Sequence, residues 1–113
     1  MNVIIAGAGI GGLTAALCLQ KSGHRVQLLE QAAEFTEVGA GIQCGANALR
    51  VLDYLGLRSQ IEAIAVDPLR ADFHDHKTGE VLYSVPFGKA YLERHGAPYL
   101  HVHRPDLHQI LVS

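Results

Sequence analysis

No run of like charge marks this chain. Nine Lys and Arg are set against eleven Asp and Glu over 113 residues, a net charge of −2. Without a basic stripe it lacks the electrostatic footprint of a nucleic-acid or anionic-membrane binder. Cysteine is equally sparse: Cys18 and Cys44 stand alone, with no CxxC spacing. That argues against a disulfide-stapled secreted scaffold and for a reducing, cytoplasmic setting. Paired carboxylates, a Ser-His-Asp order and a flanked cysteine nucleophile are absent too, as are internal repeats and low-complexity linkers. The sequence therefore offers none of the usual signatures of side-chain acid–base or covalent catalysis. What remains is an ordinary globular composition, 49% hydrophobic and 18% charged. It makes one domain at most, long enough to bury roughly two-thirds of its unfolded surface.

Charge is also missing locally. The stretch "NVIIAGAGIGGLTAALCLQKSG", residues 2–23, has no charged side chain before Lys21. A signal peptide needs positive charge ahead of its apolar region, and Met1-Asn2 supplies none beyond the amino terminus. A spanning helix needs about twenty apolar residues. Here Gly7, Gly9, Gly11 and Gly12 fall within six positions, each disfavouring helix by roughly 1 kcal/mol. Two elements around a glycine turn fit better. Val3–Ala6 is a short run rich in β-branched residues, suited to a strand buried on both faces. Leu13–Ser22 has helical spacing through Leu13, Ala16 and Leu17, and ends where Gly23 can take a left-handed cap beside Lys21. Arg25–Glu30, "RVQLLE", forms a second strand. The order strand, glycine turn, helix, strand is a βαβ unit.

Gly7-x-Gly9-x-x-Gly12 matches the dinucleotide fingerprint. Gly7 allows the tight turn off the strand. Gly9 lets a pyrophosphate approach backbone without a Cβ in the way, and Gly12 lets the helix pack close to the sheet. Helix-terminal N–H groups and the positive dipole end then face the phosphates. Glu30, eighteen residues beyond Gly12, closes the second strand and can accept hydrogen bonds from both adenosine ribose hydroxyls. The same charge repels a 2′-phosphate, and Gln31, Ala32 and Ala33 bring no Arg to offset it. NADP is disfavoured; FAD and NAD remain.

Two later segments separate those two. "EVGAGIQCGANALRVLDYLGL" (37–57) and "YLHVHRPDLHQILV" (99–112), taken with the glycine turn, resemble the class A flavoprotein aromatic monooxygenases. The branch holds salicylate hydroxylase, 3-hydroxybenzoate 6-hydroxylase and 6-hydroxynicotinate 3-monooxygenase. The resemblance covers essentially the whole chain. It implies a Rossmann-like FAD-binding domain, reduction of the flavin by NAD(P)H, and hydroxylation of a small aromatic substrate with O₂. By that similarity Gly7, Gly9, Gly11 and Gly12 form the pyrophosphate loop, Glu30 is the ribose acid and Gln31 lies beside the adenosine. Gly41, Ile42 and Gln43 fall on a loop near the flavin end, and Arg104 matches an arginine that contacts FAD. Two positions depart from the pattern: Ala46-Asn47-Ala48 replaces the usual Pro-Asn-Ala, and Cys44 replaces a small or polar residue. No catalytic residue is implied within this chain, because the family's substrate-activating residues come from later segments.

The residues between and around these motifs read compatibly. Gly39-Ala40-Gly41 calls for a turn or a close backbone approach. Leu49, Leu52 and Leu55 have helical spacing, closed by Gly56-Leu57. Leu69–Asp75 and Glu80–Val85 predict a hairpin around "HKTG". Pro98–Val102 predicts a strand, with Pro105 and Asp106 in the first turn of a helix. His74-x-His76 and His101-x-His103 each place two imidazoles on one strand face, but two ligands do not make a metal site. We read them as solvated faces and expect no metal.

The expected fold is α/β: a Rossmann-like FAD-binding βαβ unit, the start of a mixed-sheet substrate region, and an incomplete doubly wound sheet. Residues 1–113 form the N-terminal part of a FAD-binding domain, with about 69–97 contributing strands toward the substrate region. The apolar stripe of Leu107, Ile110 and Leu111 runs to the end of the sequence, so the chain is expected to be part of a longer monooxygenase, inactive by itself. A NAD-dependent dehydrogenase fragment, or a non-catalytic nucleotide-binding module working with a partner chain, shares the βαβ features. A yellow flavin absorbance favours flavin over NAD, and co-purification with a second polypeptide carrying the missing sheet favours the split module.

Overall fold

The computed structural model describes residues 1–31 and 40–113. Ala32, Ala33 and Gly39, which enter the reading above, lie outside the described residues. Strand β1 (Asn2–Ala6) runs parallel to β2 (Arg25–Leu29), with Asn2 opposite Arg25 and Ala6 opposite Leu29. Helix α1 (Ile10–Lys21) connects them, so the βαβ unit is present. Its helix closes as expected: Gly23 N–H donates to Gln20 O at 3.0 Å and His24 N–H to Leu19 O at 3.0 Å, the paired bonds of a Schellman cap.

Two details differ from expectation. Helix α1 begins at Ile10 rather than Leu13, with Gly9 as its N-cap, so Gly11 and Gly12 lie inside its first turn. Nor is β1 buried on both faces. Val3 and Ile5 are half-buried, whereas Ile4 is 67% exposed. The reason is layer count: α1 covers one face of a two-stranded sheet, and Ile4 and Leu29 look out from the other.

Strands β3 (Gly41–Cys44) and β6 (Leu100–His103) pair antiparallel, Gly41 opposite His103 and Cys44 opposite Leu100. Gly41 therefore opens a strand instead of forming a turn. An added Cβ there would sit 3.8 Å from Val102 O, an ordinary contact, so the position tolerates more than glycine. Helix α2 (Ala46–Tyr54) follows and ends on the expected cap, with Gly56 N–H to Asp53 O at 2.9 Å and Leu57 N–H to Leu52 O at 2.8 Å. Helices α3 (Arg58–Ile64) and α4 (Gly88–His95) were not anticipated. The first fully buries only Ile61 and the second buries no residue fully, so neither carries a stripe long enough to read from periodicity. Between them β4 (Arg70–His74) and β5 (Val81–Pro86) form the expected hairpin.

Helix α5 (Arg104–Val112) starts with Pro105 in its first turn. Its Leu107 and Leu111 close a core with Leu13 of α1, Leu49 and Leu52 of α2, Ile61 of α3, and Leu100 and Val102 of β6. Each such side chain contributes about 1.5–3 kcal/mol on burial. The architecture is α/β, with one parallel and two antiparallel strand pairs among the described residues. The core lies between α1, α2, α5 and the β3–β6 ladder, and it brings the two late motifs against the glycine turn.

Candidate functional site

The turn after β1 is built from backbone. Gly7 has φ +109°, a conformation that a Cβ makes costly, and its N–H extends the ladder by donating to Leu29 O at 2.6 Å. Gly12 is required by contact: a Cβ there would lie 1.9 Å from Gly7 O. The first turn of α1 thus rests on the loop's own carbonyl, a more specific role than the close helix–sheet packing expected for Gly12. Gly11 is different, since a Cβ added to it meets nothing within 4 Å. No acidic side chain occupies the first turn of α1, leaving the positive end of its dipole without a carboxylate from its own sequence.

Ala8, only 2% exposed, is gripped from two sides. Its N–H donates to Glu30 Oε2 at 2.8 Å and its carbonyl accepts from His108 Nε2 at 2.8 Å. Glu30 Oε1 accepts the Gln31 N–H, also at 2.8 Å. The ribose-type acid is therefore fastened to the glycine turn from which 22 positions separate it. Gly7, Glu30 and Gln31, with Ala6 and Leu29, line one cavity of about 500 Å³.

The remaining candidates fall elsewhere. Gly41, Ile42 and Gln43 line a separate cavity of about 220 Å³ with His101. Arg104 is the first residue of α5, and its amide donates to Ala40 O at 2.8 Å beside the Gly41–His103 pair. Ala46, which stands where the resemblance leads one to expect proline, is the first residue of α2, a position that suits proline. The departure leaves the helix start in place. It also leaves Ala46 with an N–H, which donates to Tyr91 Oη at 3.1 Å. Tyr91 belongs to an aromatic group in which Phe87 stacks on Tyr99 at 4.0 Å. The Tyr99 phenol is pushed up by burial first and then by Tyr91 and Cys44. Burial likewise raises the Cys44 thiol, which keeps it protonated and unreactive at neutral pH.

One histidine pair is corrected. His76 lies in the hairpin turn rather than on a strand face with His74, because β4 ends at His74. His101 and His103 do share a face of β6, yet His101 is partly covered and its ring meets Tyr99 edge-on. Among the described residues no three His, Cys, Asp or Glu side chains converge as a metal ion would need, and no helix is long and apolar enough to cross a membrane. The residue that sequence reasoning missed is His108. Its signal was a lone imidazole inside the Leu107–Leu111 stripe, where position alone does not reveal a partner 100 residues away.

Comparison with known proteins identifies the family. The FAD binding domain family matches residues 1–113, and the chain belongs to that family. It is 44% identical over its full length to the 3-hydroxybenzoate 6-hydroxylase of Polaromonas naphthalenivorans, and 36% identical over 99% of its length to the 6-hydroxynicotinate 3-monooxygenase of Pseudomonas fluorescens. It spans 28% and 29% of those two proteins. Among solved structures, Klebsiella pneumoniae HpxO, complexed with FAD and uric acid, superposes with a TM-score of 0.82 at 30% identity, over 99% of this chain and 28% of that one. A 2-methyl-3-hydroxypyridine-5-carboxylic acid oxygenase superposes with a TM-score of 0.83 at 32% identity, over 98% of this chain and 28% of that one. The fold is therefore that of the FAD binding domain, and its cofactor is FAD, which the HpxO structure holds.

Proposed function

We propose that this chain is the N-terminal, FAD-binding portion of a cytoplasmic, NAD(P)H-dependent monooxygenase that hydroxylates a small hydroxybenzoate-like substrate with O₂. Residues 69–97 contribute strands toward its substrate region. Gly7, Gly9, Gly11 and Gly12 hold the pyrophosphate, Glu30 takes the ribose hydroxyls, and Gln31 lies beside the adenosine. Gly41, Ile42, Gln43 and Arg104 serve the flavin end. Bound FAD supplies the redox and oxygen chemistry; this chain supplies binding and orientation.

The residues present fit that group. A carboxylate is an acceptor with about four lone-pair sites, the chemistry that ribose hydroxyls call for, and Glu30 lines the same cavity as Gly7 and Gln31. Gly11 leaves the mouth of the turn open. One observation carries the reading: the Glu30 carboxylate is 2.8 Å from the glycine-turn amide of Ala8, at the edge of a single cavity. The test is NADH and NADPH oxidation by the intact, FAD-reconstituted protein over a panel of hydroxybenzoates, with chromatography of products. Hydroxylated product stoichiometric with oxidised nicotinamide is expected. A protein that binds NAD but not FAD would instead be a dehydrogenase.

A further inference from the structure

We infer that His108 is a positioning residue for the pyrophosphate site, holding the Ala8–Gly9 peptide so that the Gly9 N–H faces the ligand. The inference rests on the FAD reading above. His108 is buried to 2% exposure on a helix distant in sequence from the glycine turn, and its Nε2 lies 2.8 Å from Ala8 O. A carbonyl only accepts, so Nε2 carries the proton and donates. The peptide linking Ala8 to Gly9 is planar and trans, no cis bond occurring among the described residues, so its C=O and N–H point in opposite directions. Fixing the Ala8 carbonyl toward α5 therefore aims the Gly9 N–H away from α5. The preceding peptide is held independently, through the Ala8 N–H on Glu30. The loop is thus oriented by two side chains, one of which also serves the ribose.

A buried imidazole is well suited to this task. An unsatisfied Ala8 carbonyl would carry a desolvation cost, and α5 is anchored by Leu107 and Leu111 on either side of His108. The donor is thereby held in one place before any ligand arrives, which reduces the ordering cost of binding.

The test compares wild-type protein with His108→Phe, which keeps a buried ring and removes the donor, in the intact apo-protein. Folding is followed by circular dichroism, and FAD, ADP and AMP affinities by calorimetry. ADP carries the pyrophosphate and AMP does not. The expected result is a folded variant that binds FAD and ADP about tenfold more weakly and AMP unchanged, with partial recovery in His108→Gln. A folded His108→Phe that binds FAD and ADP like wild type overturns the proposal. Gly9→Val, measured alongside, separates the two readings. If it also binds ADP normally, the pyrophosphate assignment itself fails; if it loses ADP while His108→Phe does not, only the role of His108 fails. A readout on unaltered protein stands if the variant does not fold. The ¹⁵N-labelled Gly9 amide should shift when ADP is added, and a Gly9 amide unmoved while Gly11 and Gly12 shift overturns the proposal.

Discussion

Glu30 joins the end of a strand to a turn that precedes it by 22 positions, through the Ala8 amide. It fastens the turn, and in the proposed function it also presents a charge to ribose. Replacing it by Ala removes two charge-assisted bonds to ligand and should weaken FAD binding by about 2–4 kcal/mol; calorimetry that returns the wild-type affinity contradicts the role. Glycines at neighbouring positions should behave in opposite ways. Gly12→Ala drives a methyl into Gly7 O, and overpacking of this kind costs about 1–3 kcal/mol. Gly11→Ala enters open space and gains helix propensity of up to about 1 kcal/mol. Urea unfolding of the intact apo-protein distinguishes them: Gly12→Ala should lower the midpoint and Gly11→Ala should not. Equal midpoints would mean that the first turn of α1 does not rest on the loop.

Elements were legible where local chemistry and long-range packing agree. The β4–β5 hairpin shows an alternating pattern around Thr78-Gly79, and the α1 and α2 caps are written in Gly23 and Gly56-Leu57. Strand β3 was hidden, since its four residues acquire their identity only from pairing with β6, nearly sixty positions on. The short α3 and α4 were hidden for want of a buried stripe. At the site, Gly7, Gly12 and Glu30 were legible because fixed spacing encodes them, whereas His108 becomes visible only once α5 docks on the turn. The hairpin yields a prediction of its own. The Asp72 carboxyl is held below the usual carboxylate range, first by the Ser84 hydroxyl at 2.5 Å and then by Arg70. A depressed folded-state value means that this contribution is complete above the unfolded value of about 3.9 and is lost as pH falls through the folded one. Titration of Asp72 by NMR should show a midpoint below the ordinary one that rises in Ser84→Ala. A midpoint unmoved by that substitution contradicts the assignment.

The molecule as a whole is extended: its radius of gyration is 17.0 Å, against about 13 Å for a compact domain of this length. The excess has a structural counterpart in apolar strands facing outward. Ile4 is 67% exposed on β1 and Leu82 63% on β5, and strand surfaces of this kind invite edge-to-edge association. The chain spans 28% of the 3-hydroxybenzoate 6-hydroxylase it matches, and Gly7, Glu30 and Gln31 line one cavity while Gly41, Ile42 and Gln43 line another. We therefore expect the 113-residue polypeptide expressed alone to associate in sedimentation runs and to form no aromatic product with NADH and added FAD. Stoichiometric product from that polypeptide would contradict the proposed division of labour. The central claim, that the glycine turn holds the pyrophosphate of FAD, is tested most directly by titrating FAD into intact apo-protein beside its Gly9→Val variant. The account predicts one FAD per wild-type chain and a folded variant that stays colourless; a variant that takes up FAD with the wild-type affinity would contradict it.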